Sequence, residues 1–162
     1  MITASRLAGF FAAHAIWSVS GGDALIPMLA YTRESDDRTM ERFVGEDLAQ
    51  GVAEAKRKLK SNEMDADDAV LVYDGLITIR HEKVDAVIVE MRAYFSPESE
   101  AIIAVPYTPG SPEAFRVHRP KLLVWKYCDD FDTEDVIHSF FEGVAEHEAG
   151  SQIWSASLDE SK

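Results

Sequence analysis

Cationic charge is scarce in this chain. It carries 16 Lys and Arg against 29 Asp and Glu, for a formal net charge of −13. Nucleic-acid binding draws on Lys and Arg that displace counterions from phosphates, and anionic membrane surfaces attract the same residues. The balance therefore speaks against nucleic-acid and membrane partners. Cysteine is scarcer still. Cys128 is the only one, so no internal disulfide can form, which fits a reducing compartment and makes the cytoplasm the expected location.

Long hydrophobic runs are also missing. The apolar stretch LAGFFAAHAIW is interrupted by His14, and a span needs about 20 consecutive apolar residues. It reads as a structural helix rather than a signal peptide. No nucleophile elbow, phosphate-binding glycine loop, dinucleotide fingerprint or H-E-x-x-H motif occurs. The five histidines, His14, His81, His118, His138 and His147, lack metal-ligand spacing. No cofactor and no metal is called for by these residues.

What is present supports an ordinary globular core. Of the 162 residues, 46% are hydrophobic, within the usual range for one domain. A single domain over 1–162 is expected, with 157–162 as a loose tail. Its centre is Ala69–Tyr107, which reads as three successive strands. Val87, Val89, Met91, Ala93 and Phe95 share one face by period-two alternation, and Ile88, Glu90, Arg92 and Tyr94 share the other. Asp74-Gly75 falls inside the first strand and reads as a bulge rather than a turn, since the continuous strand matches the length of its partner.

The flanking segments follow from periodicity and punctuation. Ser5–Val19 predicts a helix with Leu7, Phe10, Phe11, His14 and Trp17 on one face and mostly alanine on the other. So apolar a helix needs cover on more than one side, by the sheet and by a second subunit. Ala24–Arg33 predicts a strand disturbed by Pro27. Arg38–Val44 reads as its hairpin partner, although a helix from Thr39 through Lys60 competes. Glu46–Lys60 predicts a helix, with acids at its start and Lys56, Arg57, Lys58 and Lys60 at its end. After the stiff PYTPGSP loop, FRVH and KLLVWKY read as one interrupted strand or two short ones. A last helix is capped by Asp132 or Thr133 and closed by Gly150.

The resulting class is α+β: an antiparallel sheet of five to six strands with about three helices, in the order αββαβββ(β)α. That order resembles the profilin-like and roadblock-like arrangement, a likeness of fold that implies no activity.

Several constellations bear on function. The acidic run Asp129–Asp135 begins like a calcium loop but lacks the required glycine and the closing glutamate, so it reads as a helix start. Cys128, flanked by acids, has no activating base. Asp74, Arg80, Glu90 and Arg92 read as solvated or cross-strand paired charges. The one compact basic group is FRVHRPK, where Arg116, His118, Arg119 and Lys121 follow a loop bearing Tyr107. Arg and Lys can hold a carboxylate or phosphate, and His118 can exchange protons near neutral pH.

Two function classes remain. The leading one is a non-enzymatic interaction or small-ligand-binding protein, whose partner is a second copy of itself or another protein matched to its acidic surface. The alternative is an enzyme acting on a small anionic substrate, with Arg116 and Arg119 binding and His118 as acid or base.

Overall fold

The structure is a computed structural model that describes residues 1–162, except for the side chains of residues 35 and 36. Its elements are α1 (Ile2–Ser20), β1 (Met28–Arg33), β2 (Ser35–Arg42), α2 (Leu48–Ser61), β3 (Asp68–Ile79), β4 (Glu82–Ala93), β5 (Glu100–Thr108), β6 (Arg116–Val117), β7 (Lys121–Lys126), α3 (Thr133–Glu146) and α4 (Glu148–Ser157). The class is α+β in the expected order, with one more helix and one more short strand than foreseen.

The sheet runs β2-β1-β3-β4-β5, and both β6 and β7 pair with β5 at the far edge. Every pairing is antiparallel. Period-two alternation sorts its side chains. Val70, Val72, Val87, Val89, Met91 and Ile103 join the main core beneath α1. On the opposite face Leu29, Ala69 and Leu71 lie under Ala55 and Leu59 of α2, and Ala86, Ile88 and Ala104 form a smaller cluster. Phe95 lies beyond β4 and is exposed.

The hairpin reading of Arg38–Val44 is the one observed. Met40 stands opposite Ala30, and β1 begins directly after Pro27, whose carbonyl accepts from the Phe43 N–H at 3.0 Å. The bulge expected at Asp74-Gly75 is absent. Pairing runs without a register shift from Asp68↔Ala93 to Ile79↔Glu82, with Gly75 opposite Ala86. Gly75 serves a close approach instead, because an added Cβ would stand 3.0 Å from Ile88 Cγ1.

The β3–β4 connection is a two-residue turn, Arg80-His81, with φ of 49° and 70°. Both residues occupy the left-handed region of a type I′ turn, which favours Asn-Gly. Arg80→Asn combined with His81→Gly is therefore expected to gain about 1 kcal/mol in urea denaturation. An unchanged or lower midpoint would show that the strain is offset elsewhere.

The first helix accounts for its own apolar character. One side lies on the sheet, and α3 and α4 of the same chain cover the other, so no second subunit is needed to explain the alanines. Ser5 Oγ donates to the Val136 carbonyl at 2.6 Å, and Ser139 Oγ donates to the Ile2 carbonyl at 2.8 Å. Asp132 caps α3 by accepting from the N–H groups of Glu134 and Asp135.

One expectation at the C-terminus fails. Gly150 does not close the last helix. The break comes at His147, in extended backbone, and Gly150 lies within α4 against the carbonyl of Ala13. His147 Nδ1 accepts from the Gly150 N–H at 2.9 Å, so this residue ends one helix through its backbone and caps the next through its side chain. The segment expected to be a loose tail, 157–162, is held at its start. Leu158 forms a parallel bridge to Val117, and the Asp159 N–H donates to the Val117 carbonyl at 2.8 Å. Among the described residues no helix is long and apolar enough to cross a membrane.

Candidate binding groove

The basic segment that the sequence singled out is dispersed by the fold. The buried Tyr107 donates to Asp74 Oδ1 at 2.9 Å, and burial pushes both its hydroxyl and the Asp74 carboxyl above their ordinary pKa values. Arg116 Nη1 donates to the carbonyls of Glu113 and Phe115 at 2.8 and 2.7 Å. His118 is only 1% exposed. Its Nδ1 lies 3.0 Å from the Asp159 carbonyl, which can only accept, so Nδ1 carries the proton. Nε2 then accepts from Thr108 Oγ1 at 2.7 Å. Arg119 pairs with Glu160 at 3.1 Å, both more than half exposed, a contact of at most about 1 kcal/mol. Lys121 stands opposite Ala104 on the α2 side of the sheet.

The remaining constellations are structural as well. Glu90, 6% exposed, accepts from the Tyr73 hydroxyl at 2.8 Å and pairs with Lys56 at 3.1 Å, and Arg92 pairs with Glu100 at 2.7 Å. Arg80 belongs to the β3–β4 turn. The Cys128 thiol donates to the carbonyls of Lys126 and Glu100, and its pKa is raised chiefly by burial rather than by its acidic neighbours. Among the described residues no group of three or more His, Cys, Asp or Glu is placed to hold a metal ion. His14 Nδ1 and His147 Nε2 meet at 3.0 Å, joining α1 to the α3–α4 break.

The feature that sequence reasoning missed is an apolar groove of about 720 Å³ between the β7 edge of the sheet and the α3–α4 pair. The sheet contributes Ile103, Leu122 and Trp125. Helix α3 contributes Ile137 and Phe141 beside the buried Val136 and Phe140, and α4 contributes Trp154, with Leu158 following it. Leu122, Ile137, Phe141 and Leu158 are each 43–45% exposed, although all are large and apolar. Arg119 and Lys121 border the groove, whereas Tyr107, Arg116 and His118 do not.

The chain matches no protein-family model, no curated protein and no solved structure.

The likeness to the profilin-like and roadblock-like order thus remains one of element order. A hint of the groove was available in the last helix. Ile137 and Phe141 extend the Val136, Phe140, Val144 stripe into a face too wide for one buried seam. What covers that extra width is set by contacts with β7 and α4, which no local pattern encodes.

A second cavity of about 580 Å³ is polar and lies between α1, α3 and the β1–β2 turn. Glu146 pairs with both Arg6 and Arg38 there. Asp68 is buried beside it with Oδ1 unpartnered among the described residues, and burial raises its pKa.

Proposed function

We propose that this is a non-enzymatic binding protein that takes an apolar guest in the groove between β7 and the α3–α4 pair. One observation carries the reading: Leu122 of β7, Ile137 and Phe141 of α3 and Leu158 after α4 converge on one cavity and stay nearly half exposed. A contiguous apolar patch rimmed by polar residues marks an interaction site more often than chance exposure does. Covering a half-exposed Leu or Phe contributes about 1 kcal/mol, so four such side chains suffice for measurable affinity. The proposed compartment is the cytoplasm, on the ground that the only cysteine is unpaired.

The enzyme alternative draws no support from the geometry of its residues. Both ring nitrogens of His118 are engaged, Arg116 donates to backbone carbonyls, and Arg119 pairs with Glu160 at the exposed surface.

Titration with anilinonaphthalene sulfonate tests the groove. Wild-type protein is expected to bind the dye saturably, with energy transfer from Trp125 and Trp154. Phe141→Asp is expected to weaken binding about tenfold at unchanged circular dichroism, the equivalent of 1.4 kcal/mol. Equal affinity of the folded variant and wild type would remove the groove as the site.

A further inference from the structure

We propose that the guest is an extended segment of another protein. It adds as a strand to the free edge of β7, with apolar residues opposite Leu122 and Trp125 and acidic residues opposite Lys121 and Lys126. This rests on the groove reading above and names its occupant.

The two edges of the sheet differ. The outer strand β2 reads SDDRTMER, and two of its charges engage the body: Arg38 with Glu146 and Glu41 with Lys58. Charge at an edge discourages pairing with any chain that does not bring the opposite charge. The edge strand β7 reads KLLVWK and pairs only with β5 among the described residues. Its Leu122 and Leu123 are 43% and 46% exposed. An apolar edge with one side of its backbone unpaired is the substrate of strand addition, where main-chain hydrogen bonds supply affinity and alternate side chains supply specificity.

Register places the two kinds of side chain. Leu122 is opposite Ile103, and Trp125 is opposite Ala101, on the face of the sheet that meets the groove. Lys121 and Lys126 are opposite Ala104 and Glu100 on the other face. The irregularity between Ile102 and Ile103 leaves Leu123 as the extra residue, which brings both lysines to the same face. A strand laid against β7 therefore sends alternate residues over Leu122 and Trp125, beside Ile137 and Phe141, and holds the intervening ones against lysines.

Charge selects the partner. In a chain of net charge −13 this edge is bounded by Lys121 and Lys126, with Arg119 just before it. Lys126 reaches Glu100 only at 3.9 Å, because Arg92 already holds that carboxylate at 2.7 Å. Acidic residues on the guest complete the lysines. A second copy fits worse, since fully overlapped antiparallel pairing of β7 with itself sets Lys121 against Lys126, and like charges directly opposite destabilise a pair.

The test pans a phage-displayed library of random dodecapeptides against wild type and against Lys121→Glu/Lys126→Glu, with dye titration of the wild type alongside. The wild type is expected to enrich peptides in which Asp or Glu flanks spaced apolar residues. The double variant is expected to bind those peptides about tenfold more weakly at unchanged circular dichroism. Lys121→Gln/Lys126→Gln serves as the control if charge reversal perturbs folding, and should fall between the two. Enriched peptides without acidic flanks, or equal affinity for both proteins, would overturn the proposal. So would dye binding without peptide enrichment, which points to a small apolar ligand, and so would a dimer in light scattering that the charge reversal leaves intact. Loss of dye binding by the wild type would instead overturn the groove reading itself.

Discussion

Gly9→Ala is expected to lower the unfolding temperature by roughly 6–12 °C, the equivalent of about 3 kcal/mol for a chain of this size. Two effects of opposite sign compete at this position. Alanine is the better helix former, which would stabilise an isolated helix interior by about 1 kcal/mol. Against that, a Cβ on Gly9 would overlap the backbone carbonyl of Phe140 in α3. The contact is reciprocal, for a Cβ on Gly143 would overlap the carbonyl of Arg6. Backbone atoms cannot rotate away as a flexible side chain can, so relief requires α1 and α3 to separate. Separation would stretch the hydrogen bonds from Ser5 to Val136 and from Ser139 to Ile2, and open voids around Phe140.

Packing therefore decides the sign. Gly21→Ala is the matched control, since its Cβ would find nothing nearer than 3.6 Å and its φ of −82° suits any residue. Thermal melts followed by circular dichroism should show a large loss for Gly9→Ala and almost none for Gly21→Ala. A Gly9→Ala melt within about 2 °C of wild type would refute the close helix crossing.

Acidification from about pH 7.5 to 5.5 is expected to destabilise the fold through the His14–His147 pair. His147 Nδ1 accepts from the Gly150 N–H, so its proton sits on Nε2 and is donated to His14 Nδ1. Protonating either ring disrupts this chain. A proton on His147 Nδ1 faces the Gly150 N–H and removes the cap of α4, and a proton on His14 Nδ1 faces His147 Nε2–H. The pKa of His14 is lowered by burial first, then by His147 and Arg42, and that of His147 is lowered by burial. The pair also packs against the rings of Phe10 and Trp17.

The sign follows from linkage. Below the ordinary imidazole value of about 6.5 the unfolded chain binds protons that the folded chain refuses, so stability present above that pH is lost as the pH falls. Asp68 and Asp74 act oppositely, because burial raises their pKa and protonation favours the fold, but their ordinary range lies lower. Urea midpoints should fall between pH 7.5 and 5.5. His147→Asn keeps a capping acceptor without a titrating ring and should flatten the decline. A level wild-type profile, or one that His147→Asn leaves unchanged, would remove the pair as its cause.

The parts of this molecule legible in the sequence are those whose physics is local. The alternation of Val87, Val89, Met91 and Ala93 placed the core face of β4, because a strand's side chains alternate whatever surrounds them. Asp132 and Thr133 together marked the start of α3, and Asp132 is the cap, because its carboxylate meets amides two and three residues on. Where a residue type serves two purposes, local reading chose wrongly. Gly75 suggested a bulge and Gly150 a helix end, yet both exist to admit a neighbour: Ile88 in one case and the Ala13 carbonyl in the other.

The basic segment shows the same limit. Arg116, His118 and Arg119 looked like a ligand site only while their partners at Glu113, Asp159 and Glu160 were unknown. Tertiary structure alone decided that the tail would lie along Val117 and that His14 would meet His147 across 133 residues. It alone made the groove, which gathers Ile103, Leu122, Phe141, Trp154 and Leu158 from four elements and the tail. Each of these side chains carries the same apolar pattern whether it is buried in the core or left at an open edge. That difference depends on which surfaces the long-range packing covers, and at β7 it leaves one uncovered.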